Sequence, residues 1–347
     1  MRGVIERYRP YLDLADTPAV TLGEGSTPLI SWATWGTTDI FLKLEGTNPT
    51  GSFKDRGMTV AISVARQQGA QAVICASTGN TAASAAAYAA RAGLPAFVVA
   101  PRGQITQEKM LQALVHQATF LTVDGNFDAA LAMVRKVAER TSLVTLVNSV
   151  NPWRLRGQET GAYEIVDDLG RAPDSLVLPV GNAGNISAYF QGFKRYGHGV
   201  PRMLGIQAQG SSPLVSGQDV ENPETIASAI RIGKPASKHL AVKAVAESGG
   251  AFLAVSDDEI LDAQRELAAG GVFVEPASAT AYAGIKRLKA QDMLPDGIVA
   301  AILTGTGLKD GHTPLKWTQA KTESTDADRL EETLRTLLNG GAVHVAH

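Results

Sequence analysis

Short apolar runs alternate with longer stretches of helical periodicity from residue 71 to residue 303. The short runs, bounded by glycine, proline and polar residues, predict buried strands, and the longer stretches predict helices. Strands that alternate with helices of about 10 to 15 residues indicate a parallel sheet with right-handed crossovers. The predicted strands are 72–76, 95–100, 119–123, 143–147, 175–180, 203–209, 252–255 and 298–303, and the predicted helices are 80–92, 106–116, 127–140, 157–169, 185–196, 238–248, 257–269 and 277–291.

The chain is long enough for two lobes, because its 347 residues exceed the length at which a single hydrophobic core stops growing. The predicted fold class is α/β, and each lobe is a largely parallel, twisted sheet flanked by helices. We expect a smaller, mobile α/β domain over residues 51–154 and a larger α/β domain formed by 1–50 together with 155–347. A ligand is expected in the crevice between them, which the polar loops 78–81 and 148–151 would face from the carboxyl ends of strands.

Composition and charge exclude several classes of partner. Hydrophobic residues make up 44% of the chain and charged residues 19%, which is typical of a soluble globular protein. The formal net charge of −2 gives no bulk attraction to nucleic acid or to an anionic membrane. The N-terminal segment has no apolar signal-peptide core, and no run provides the roughly 20 apolar residues that span a bilayer. We expect a cytoplasmic protein with no nucleic-acid and no membrane partner.

The sequence predicts no metal site. The single cysteine, Cys75, excludes an intramolecular disulfide and a cysteine-based zinc site, and its apolar surroundings are typical of a buried strand. The six histidines show neither an H-E-x-x-H pattern nor Cys/His ligand spacing. A G-x-x-x-x-G-K-[ST] phosphate loop and a G-x-S-x-G nucleophile elbow are also absent from the sequence.

Lys54 is the strongest candidate for covalent chemistry, because it stands alone between an aromatic residue and an acid–base pair, just after a Pro/Gly turn. A polar loop at 77–81 follows about 25 residues later, and a glycine loop at 181–185 opens a helix about 100 residues further on. An amine, an anion-binding loop and a phosphate-binding loop together indicate pyridoxal phosphate (PLP), whose aldehyde links to a lysine of lowered pKa. Each piece alone is also compatible with a surface lysine and two ordinary turns.

PLP needs three further contacts, and the sequence offers a candidate for each. The phosphate needs backbone N–H groups, which the glycine loop and the following helix N-terminus supply, although the glycines are also compatible with tight packing. The 3′-oxygen needs a neutral donor, and Asn80 is either that donor or a helix N-cap. The pyridine nitrogen needs a partner such as Thr304, which is otherwise a satisfied strand-end hydroxyl. A threonine cannot protonate that nitrogen, which favours elimination and replacement over transamination.

Six segments in order carry a family resemblance: Asn-Pro-Thr-Gly-Ser-Phe-Lys54-Asp-Arg-Gly-Met, Ser-Thr-Gly-Asn80-Thr, Leu-Val-Asn148-Ser-Val-Asn-Pro-Trp-Arg154, Gly181-Asn-Ala-Gly-Asn-Ile, Val-Glu275-Pro-Ala-Ser and Leu-Thr304-Gly-Thr-Gly-Leu-Lys-Asp310. Together they resemble threonine synthases, fold-type-II PLP enzymes similar in architecture to the tryptophan synthase β subunit. The resemblance covers about residues 20 to 315. Single pieces are shared with dehydratases and cysteine synthases, whereas the combination is more specific.

The resemblance implies a carbon–oxygen lyase that converts O-phospho-L-homoserine and water into L-threonine and phosphate, the last step of threonine biosynthesis. It implies that Lys54 forms the imine link to PLP and shuttles protons during γ-elimination and the addition of water at Cβ. It also implies a homodimer. The implied cofactor contacts are Lys54, Asn80, Gly181, Asn182, Ala183, Gly184, Asn185 and Thr304, and the implied substrate contacts are Ser77, Thr78 and Thr81 for the carboxylate and Lys109, Asn148, Ser149 and Arg154 for the phosphate.

Two other functions stay open at this point. A PLP-dependent threonine or serine dehydratase would release ammonia and a 2-oxo acid, and it would need no phosphate clamp. Arg154 therefore distinguishes a threonine synthase from a dehydratase, because a rigid guanidinium fork binds two phosphate oxygens. A catalytically silent binding or regulatory module would not need Lys54. Near Lys109 the chain departs from the family pattern, with Gln104 and Glu108 where relatives carry lysine and glycine.

Overall fold

The structure is a computed structural model, and it describes residues 2–14, 16–102, 107–125, 127–141, 143–318, 329–331 and 334–335. Within these ranges the strands are β1 (Leu29–Trp35), β2 (Thr38–Leu44), β3 (Ala72–Ala76), β4 (Ala96–Pro101), β5 (Thr119–Val123), β6 (Val144–Leu146), β7 (Ser175–Pro179), β8 (Arg202–Ala208), β9 (Ala251–Val255) and β10 (Gly297–Leu303). The helices are α1 (Val4–Leu12), α2 (Lys54–Gln67), α3 (Asn80–Ala92), α4 (Gln107–Val115), α5 (Phe127–Arg140), α6 (Pro152–Gln158), α7 (Thr160–Leu169), α8 (Gly184–Tyr196), α9 (Pro213–Ser216), α10 (Lys238–Glu247), α11 (Asp257–Ala269) and α12 (Pro276–Ala290).

The strands form two sheets. The larger has the order β1-β2-β10-β7-β8-β9, and the smaller has the order β5-β4-β3-β6. Every pairing is parallel except that of β1 with β2. Helices α3 and α5 pack against the smaller sheet, and α10 and α12 pack against the larger. This confirms the α/β class, and none of the described helices has the length and apolar character that crossing a bilayer requires.

The division into domains stays a prediction, although the sheets are compatible with it. All four strands of the smaller sheet lie inside 51–154, and all six strands of the larger sheet lie outside that range. The chain therefore leaves the larger sheet after β2, builds the smaller sheet, and returns to the larger sheet at β7.

Most predicted elements occur with bounds shifted by no more than one residue, and residue 106, the first of one predicted helix, lies outside the described residues. The prediction of one helix over 157–169 was wrong, because α6 and α7 are separate helices. Helix α6 begins at Pro152, which suits a first helical position, and the Asn151 side chain caps it by accepting from the Trp153 N–H. Gly157 lies inside α6 rather than at a helix start.

The glycine inside α6 is required by its contact with α2. A Cβ atom on Gly157 would collide with the carbonyl oxygen of Arg56, and a Cβ atom on Gly57 would lie 2.5 Å from the carbonyl oxygen of Arg154. Two glycines that face each other in this way let the two helix backbones touch. Helix α2 begins at Lys54, so this contact fixes the helix that carries the candidate lysine.

A buried cluster of charges also anchors α2. The Arg56 guanidinium lies 2.7 Å from a Glu45 carboxylate oxygen and 2.6 Å from a Glu164 carboxylate oxygen. The Lys43 amine lies 3.2 Å from the same Glu164 oxygen, and all four side chains are buried. Burial alone would raise the pKa of Glu164, but Arg56 and Lys43 hold it well below its ordinary value. The cluster joins β2, α2 and α7.

We expect Arg56→Leu to lower the free energy of unfolding by about 3–5 kcal/mol, because it leaves two carboxylates buried with too little positive charge. Urea denaturation followed by circular dichroism measures this loss. The matched control is Arg171→Leu, which breaks the exposed pair with Asp174 and should lower the free energy of unfolding far less, because water screens that pair. Equal losses in the two variants would contradict a stabilising role for the buried cluster.

Candidate active site

A cavity lies beyond the carboxyl ends of β3, β7 and β10. This is where parallel α/β sheets bind their ligands. The cavity brings together segments that are far apart in the chain. Its lining residues are Phe53, Lys54, Asn80, Ser149, Gln158, Pro179, Val180, Gly181, Asn182, Ala183, Gly184, Asn185, Ile186, Ala229, Ile230, Glu275, Ala277 and Thr304.

Backbone hydrogen bonds hold the Lys54 segment against the end of β10. The Phe53 N–H donates to the Thr304 carbonyl at 3.0 Å, and the Thr306 N–H donates to the Gly51 carbonyl at 3.0 Å. Gly51 has a φ of +83°, which only glycine adopts readily, so the turn before Lys54 depends on it. These contacts explain why the predicted lysine and the predicted Thr304 line one cavity.

The environment of Lys54 favours its neutral, nucleophilic form. Burial lowers the pKa of the Lys54 amine to about 7, the charge of Arg154 lowers it as well, and Glu275 partly opposes the shift. The amine lies 4.2 Å from the centre of the Phe53 ring. At neutral pH a large fraction of this amine is therefore free of its proton and able to attack an aldehyde.

The glycine loop ends in a helix start that is open to an anion. Gly181 is required by packing, because a Cβ atom there would lie 2.9 Å from the Cα atom of Ile230. The residue with left-handed backbone is Ala183, with φ of 66°, and it precedes α8 without any side-chain cap. The first N–H groups of α8 are therefore free to bind an anion. Both polar atoms of the buried Asn185 side chain also lack a partner within the described part of the chain.

Asn80 is held by a carboxylate that the sequence analysis did not assign. Asn80 is the first residue of α3 rather than its N-cap, and its amide donates to the two Glu275 oxygens at 3.0 and 3.2 Å. Burial raises the pKa of Glu275, and the hydrogen bond from Asn80 opposes that rise. Glu275 precedes Pro276 at the start of α12, so in the sequence it resembles an ordinary helix-start acid. Only its contact with Asn80 in the folded chain shows that Glu275 orients that side chain.

Thr304 lines the cavity, and its hydroxyl lies 3.0 Å from the Ser278 hydroxyl. Ser278 also donates to the Gly305 carbonyl and accepts from the Gly305 N–H. The Thr304 side chain is thus fixed at the end of β10 by a neutral network. The hydroxyl has a partner, and it can still take part in one more hydrogen bond because it is both donor and acceptor.

Of the predicted substrate-phosphate residues, Ser149 lies in the cavity and Arg154 behind it. The Ser149 Cβ atom lies 3.8 Å from the position of a Cβ atom on Gly184, next to the glycine loop. Arg154 is fully buried and donates to the Val147 carbonyl at 3.0 Å. Its Nε and Nη2 atoms have no partner in the described ranges, and burial lowers its pKa to about 10. A buried cation with unused hydrogen-bond donors is stabilised when an anion binds to it.

The remaining predicted substrate residues are less directly placed. Both ends of the Asn148 amide hydrogen-bond the backbone of Ala76 at 2.9 Å, so Asn148 joins the loop after β6 to the end of β3. The candidate carboxylate-binding residues are half-buried and do not line the cavity: Ser77 and Thr78 lie in the loop after β3, and Thr81 lies in the first turn of α3. The side chains of Lys109 and Glu108, and the whole of Gln104, lie outside the described residues.

The donors in this cavity fit PLP. Lys54 provides an amine that is partly neutral at neutral pH, the α8 N-terminus provides free N–H groups for a phosphate, and the unpaired Asn185 amide adds polar capacity beside them. Asn80 and Thr304 lie at the cavity wall in positions from which they can contact a ring bound between these two ends.

Comparison with known proteins agrees with this geometry. Residues 20–305 match the model of a family described as pyridoxal-phosphate dependent enzymes. A threonine synthase from Synechocystis is 56% identical over 322 residues, covering 89% of this chain and 84% of the relative. The chain belongs to the threonine synthase family of pyridoxal-phosphate dependent enzymes. The predicted cofactor is therefore confirmed.

Further comparisons support the same family and fold. A threonine synthase from Mycobacterium tuberculosis is 54% identical over 332 residues, covering 90% of each chain. The structure of maize serine racemase superposes with a TM-score of 0.72 at 20% identity, covering 98% of this chain and 99% of that one. At that identity the superposition supports the fold alone, which is the α/β architecture predicted for this family.

We expect Lys54, in the chain freed of cofactor, to react with added PLP at a rate that rises with pH and levels off above about 7. The physical reason is that only the neutral amine attacks the aldehyde. Stopped-flow absorbance measures the rate, and borohydride reduction with peptide mass spectrometry identifies the modified lysine. Reaction spread over exposed lysines such as Lys194 would show that the cavity does not activate Lys54.

Proposed function

We propose that the chain is a threonine synthase, which converts O-phospho-L-homoserine and water into L-threonine and phosphate. The γ-phosphate leaves first, and water then adds at Cβ. The single observation that carries the substrate assignment is the buried Arg154 guanidinium, with two unpaired nitrogens, close enough to lower the pKa of Lys54. The threonine synthases that share about half of their residues with this chain support the same reaction.

Lys54 moves the protons in this proposal. Bound PLP supplies an electron-withdrawing ring that makes the substrate Cα–H acidic. Because the pKa of the free Lys54 amine is about 7, the amine can both take a proton from carbon and return it near neutral pH. The proposed holding contacts are the N–H groups of Gly181, Asn182, Ala183, Gly184 and Asn185 for the cofactor phosphate, Asn80 for the 3′-oxygen and Thr304 for the ring nitrogen.

The substrate is proposed to lie between two sets of donors. Ser149 and Arg154, with Asn148 and Lys109, bind the phosphate that leaves, and a guanidinium with free N–H groups stabilises the charge on that phosphate. The carboxylate is bound by Ser77 and Thr78, in the loop after β3, and by Thr81, in the first turn of α3. Both substrates carry an α-carboxylate, but only O-phospho-L-homoserine brings a second anion. The buried Arg154 with two unpaired nitrogens therefore favours the phosphorylated substrate over threonine.

Three further expectations are part of this proposal. We propose that residues 51–154 form a domain that moves relative to 1–50 and 155–347 when substrate binds, since the cavity has walls from both. We also propose a homodimer and a cytoplasmic location.

The purified chain, loaded with PLP, should release phosphate and threonine from O-phospho-L-homoserine in equal amounts. Lys54→Ala should abolish both products, because Lys54 is the one lysine among the described residues that line the cavity, and circular dichroism should show an unchanged fold. The control Lys194→Ala removes an exposed lysine and should keep full activity. Release of 2-oxobutyrate from threonine, without activity on the phosphorylated substrate, would identify a dehydratase instead.

Arg154→Ala should raise KM for O-phospho-L-homoserine by a factor corresponding to about 2–4 kcal/mol, or roughly 30- to 1000-fold. The reason is the loss of a buried, charge-assisted contact to phosphate. Steady-state kinetics measure the change. Arg154→Lys is the matched variant, because it keeps the charge and loses the fork, and it should show a smaller rise in KM. An unchanged KM in the alanine variant would remove Arg154 from the substrate site.

A further inference from the structure

Lys309 belongs to the last of the six family segments, and neither the cofactor contacts nor the substrate contacts proposed above give it a role. It ends the 3-10 turn Gly307–Lys309, which follows β10, and it does not line the cavity. Its carbon chain lies against Gly51, because a Cβ atom on Gly51 would lie 3.0 Å from the Lys309 Cε atom. The stem of Lys309 therefore packs on the turn that precedes Lys54.

The amine of Lys309 reaches from the larger sheet to a helix of the smaller one. It donates to the Gln112 Oε1 atom at 2.5 Å, and the Gln112 Nε2 atom donates to the Thr50 carbonyl at 3.4 Å. Gln112 lies in α4, which packs against α3 beside the smaller sheet, whereas Lys309 follows a strand of the larger sheet. The two side chains thus join α4 to the end of β10 and to the turn before Lys54.

Charges near Lys309 determine which end of the Gln112 amide it binds. Burial lowers the pKa of Lys309, and the Glu275 and Asp55 carboxylates oppose that shift by favouring the protonated amine. A protonated amine only donates hydrogen bonds, so it binds the oxygen of the Gln112 amide. The nitrogen of the same amide is then left to donate to Thr50. The charge on Lys309 therefore fixes both contacts of the Gln112 side chain.

Gln112 and Lys109 stand three residues apart in α4. Positions three apart in an α-helix lie on the same face, so a contact that holds Gln112 also sets where the Lys109 face of the helix lies. On another part of the helix surface, Met110 and Ala113 are buried, whereas Gln112 is exposed apart from its hydrogen bonds. The rotation of α4 relative to the turn before Lys54 therefore depends on the Gln112 contacts.

We propose that Lys309 is a positioning residue for the substrate phosphate. By holding Gln112 beside the turn that precedes Lys54, it keeps α4 where Lys109 can reach that phosphate. The inference rests on the proposed threonine synthase activity and on the proposed phosphate contact of Lys109. Lys309 acts through α4 and does not touch the substrate. Because α4 lies within residues 51–154 and Lys309 lies outside that range, the contact also joins the two proposed domains.

Opposite charges introduced at position 112 test the contact in the PLP-loaded enzyme. Gln112→Glu keeps an acceptor for Lys309, whereas Gln112→Lys places a second cation beside it, and the two new side chains have similar helix propensity. KM for O-phospho-L-homoserine should stay within about twofold in Gln112→Glu and should rise about threefold to tenfold in Gln112→Lys. Simple attraction between the introduced charge and an anionic substrate would give the opposite order of KM values.

Lys309→Met shows whether the effect passes through Lys309, because methionine keeps an apolar stem over Gly51 and lacks the amine. This variant should raise KM about threefold to tenfold, and in its background Gln112→Glu should lose its advantage over Gln112→Lys. The control is Lys238→Met, which breaks an exposed contact with Asp219 on another helix and should leave KM unchanged. A KM for Gln112→Glu as high as that for Gln112→Lys, or an equal difference between them with and without Lys309, would overturn the proposal.

Hydrogen exchange followed by mass spectrometry gives a readout that needs no turnover. In the PLP-loaded chain, the amides of α4 should exchange about threefold to tenfold faster in Lys309→Met than in the unchanged chain or in Gln112→Glu, while those of α10 stay the same. Unaltered exchange of α4 in Lys309→Met would show that Lys309 does not hold this helix. If the unchanged enzyme makes no threonine, the proposed function fails, and the exchange rates still decide whether Lys309 holds α4.

Discussion

The balance of charge around Arg56 is the constraint on which the site depends. Its guanidinium is buried with two carboxylates and a lysine, drawn from β2, α2 and α7 and the turn after β2. Arg56 stands two residues after Lys54, so the cluster fixes the first turn of the helix that carries the reactive amine. Buried charges tolerate little displacement, because each loses water and depends on its partners. Buried contacts therefore fix the first turn of α2.

Burial also decides which groups in and near the cavity carry a charge. Lys54 and Arg154 are two cations in an enclosed space, and the nearby Glu275 is engaged with Asn80. Since enclosure disfavours charge, the lysine gives up its proton near neutral pH, while the guanidinium of Arg154 keeps its charge. The same burial therefore gives a neutral amine that can attack carbon and a charged guanidinium that can bind a phosphate. The two groups differ because a guanidinium is more basic than an amine.

The local sequence pattern predicted the helices and strands better than it predicted the contacts between side chains. The predicted bounds of strands β3 and β5 and helices α3 and α5 match the observed ones. The spacing of apolar residues, and the glycine or proline that ends an element, are local signals that can be read from the sequence. The start of α6 was missed, since Gly157 resembles a helix boundary until its close approach to α2 is known. The hairpin β1/β2 was missed because both strands precede the region where alternation with helices is clear.

The sequence by itself determined the α/β class, the reactive lysine, the glycine turn and the family, because these depend on residue types at short spacing. It could not show that Glu275 holds Asn80, that the backbone of Ala76 occupies the Asn148 amide, or that two buried nitrogens of Arg154 have no partner in the described part of the chain. Those facts depend on which side chains meet after the chain has folded, across separations of up to 195 residues. Only the tertiary structure decides how a buried polar group is satisfied, because its partners come from elements that the local pattern does not connect.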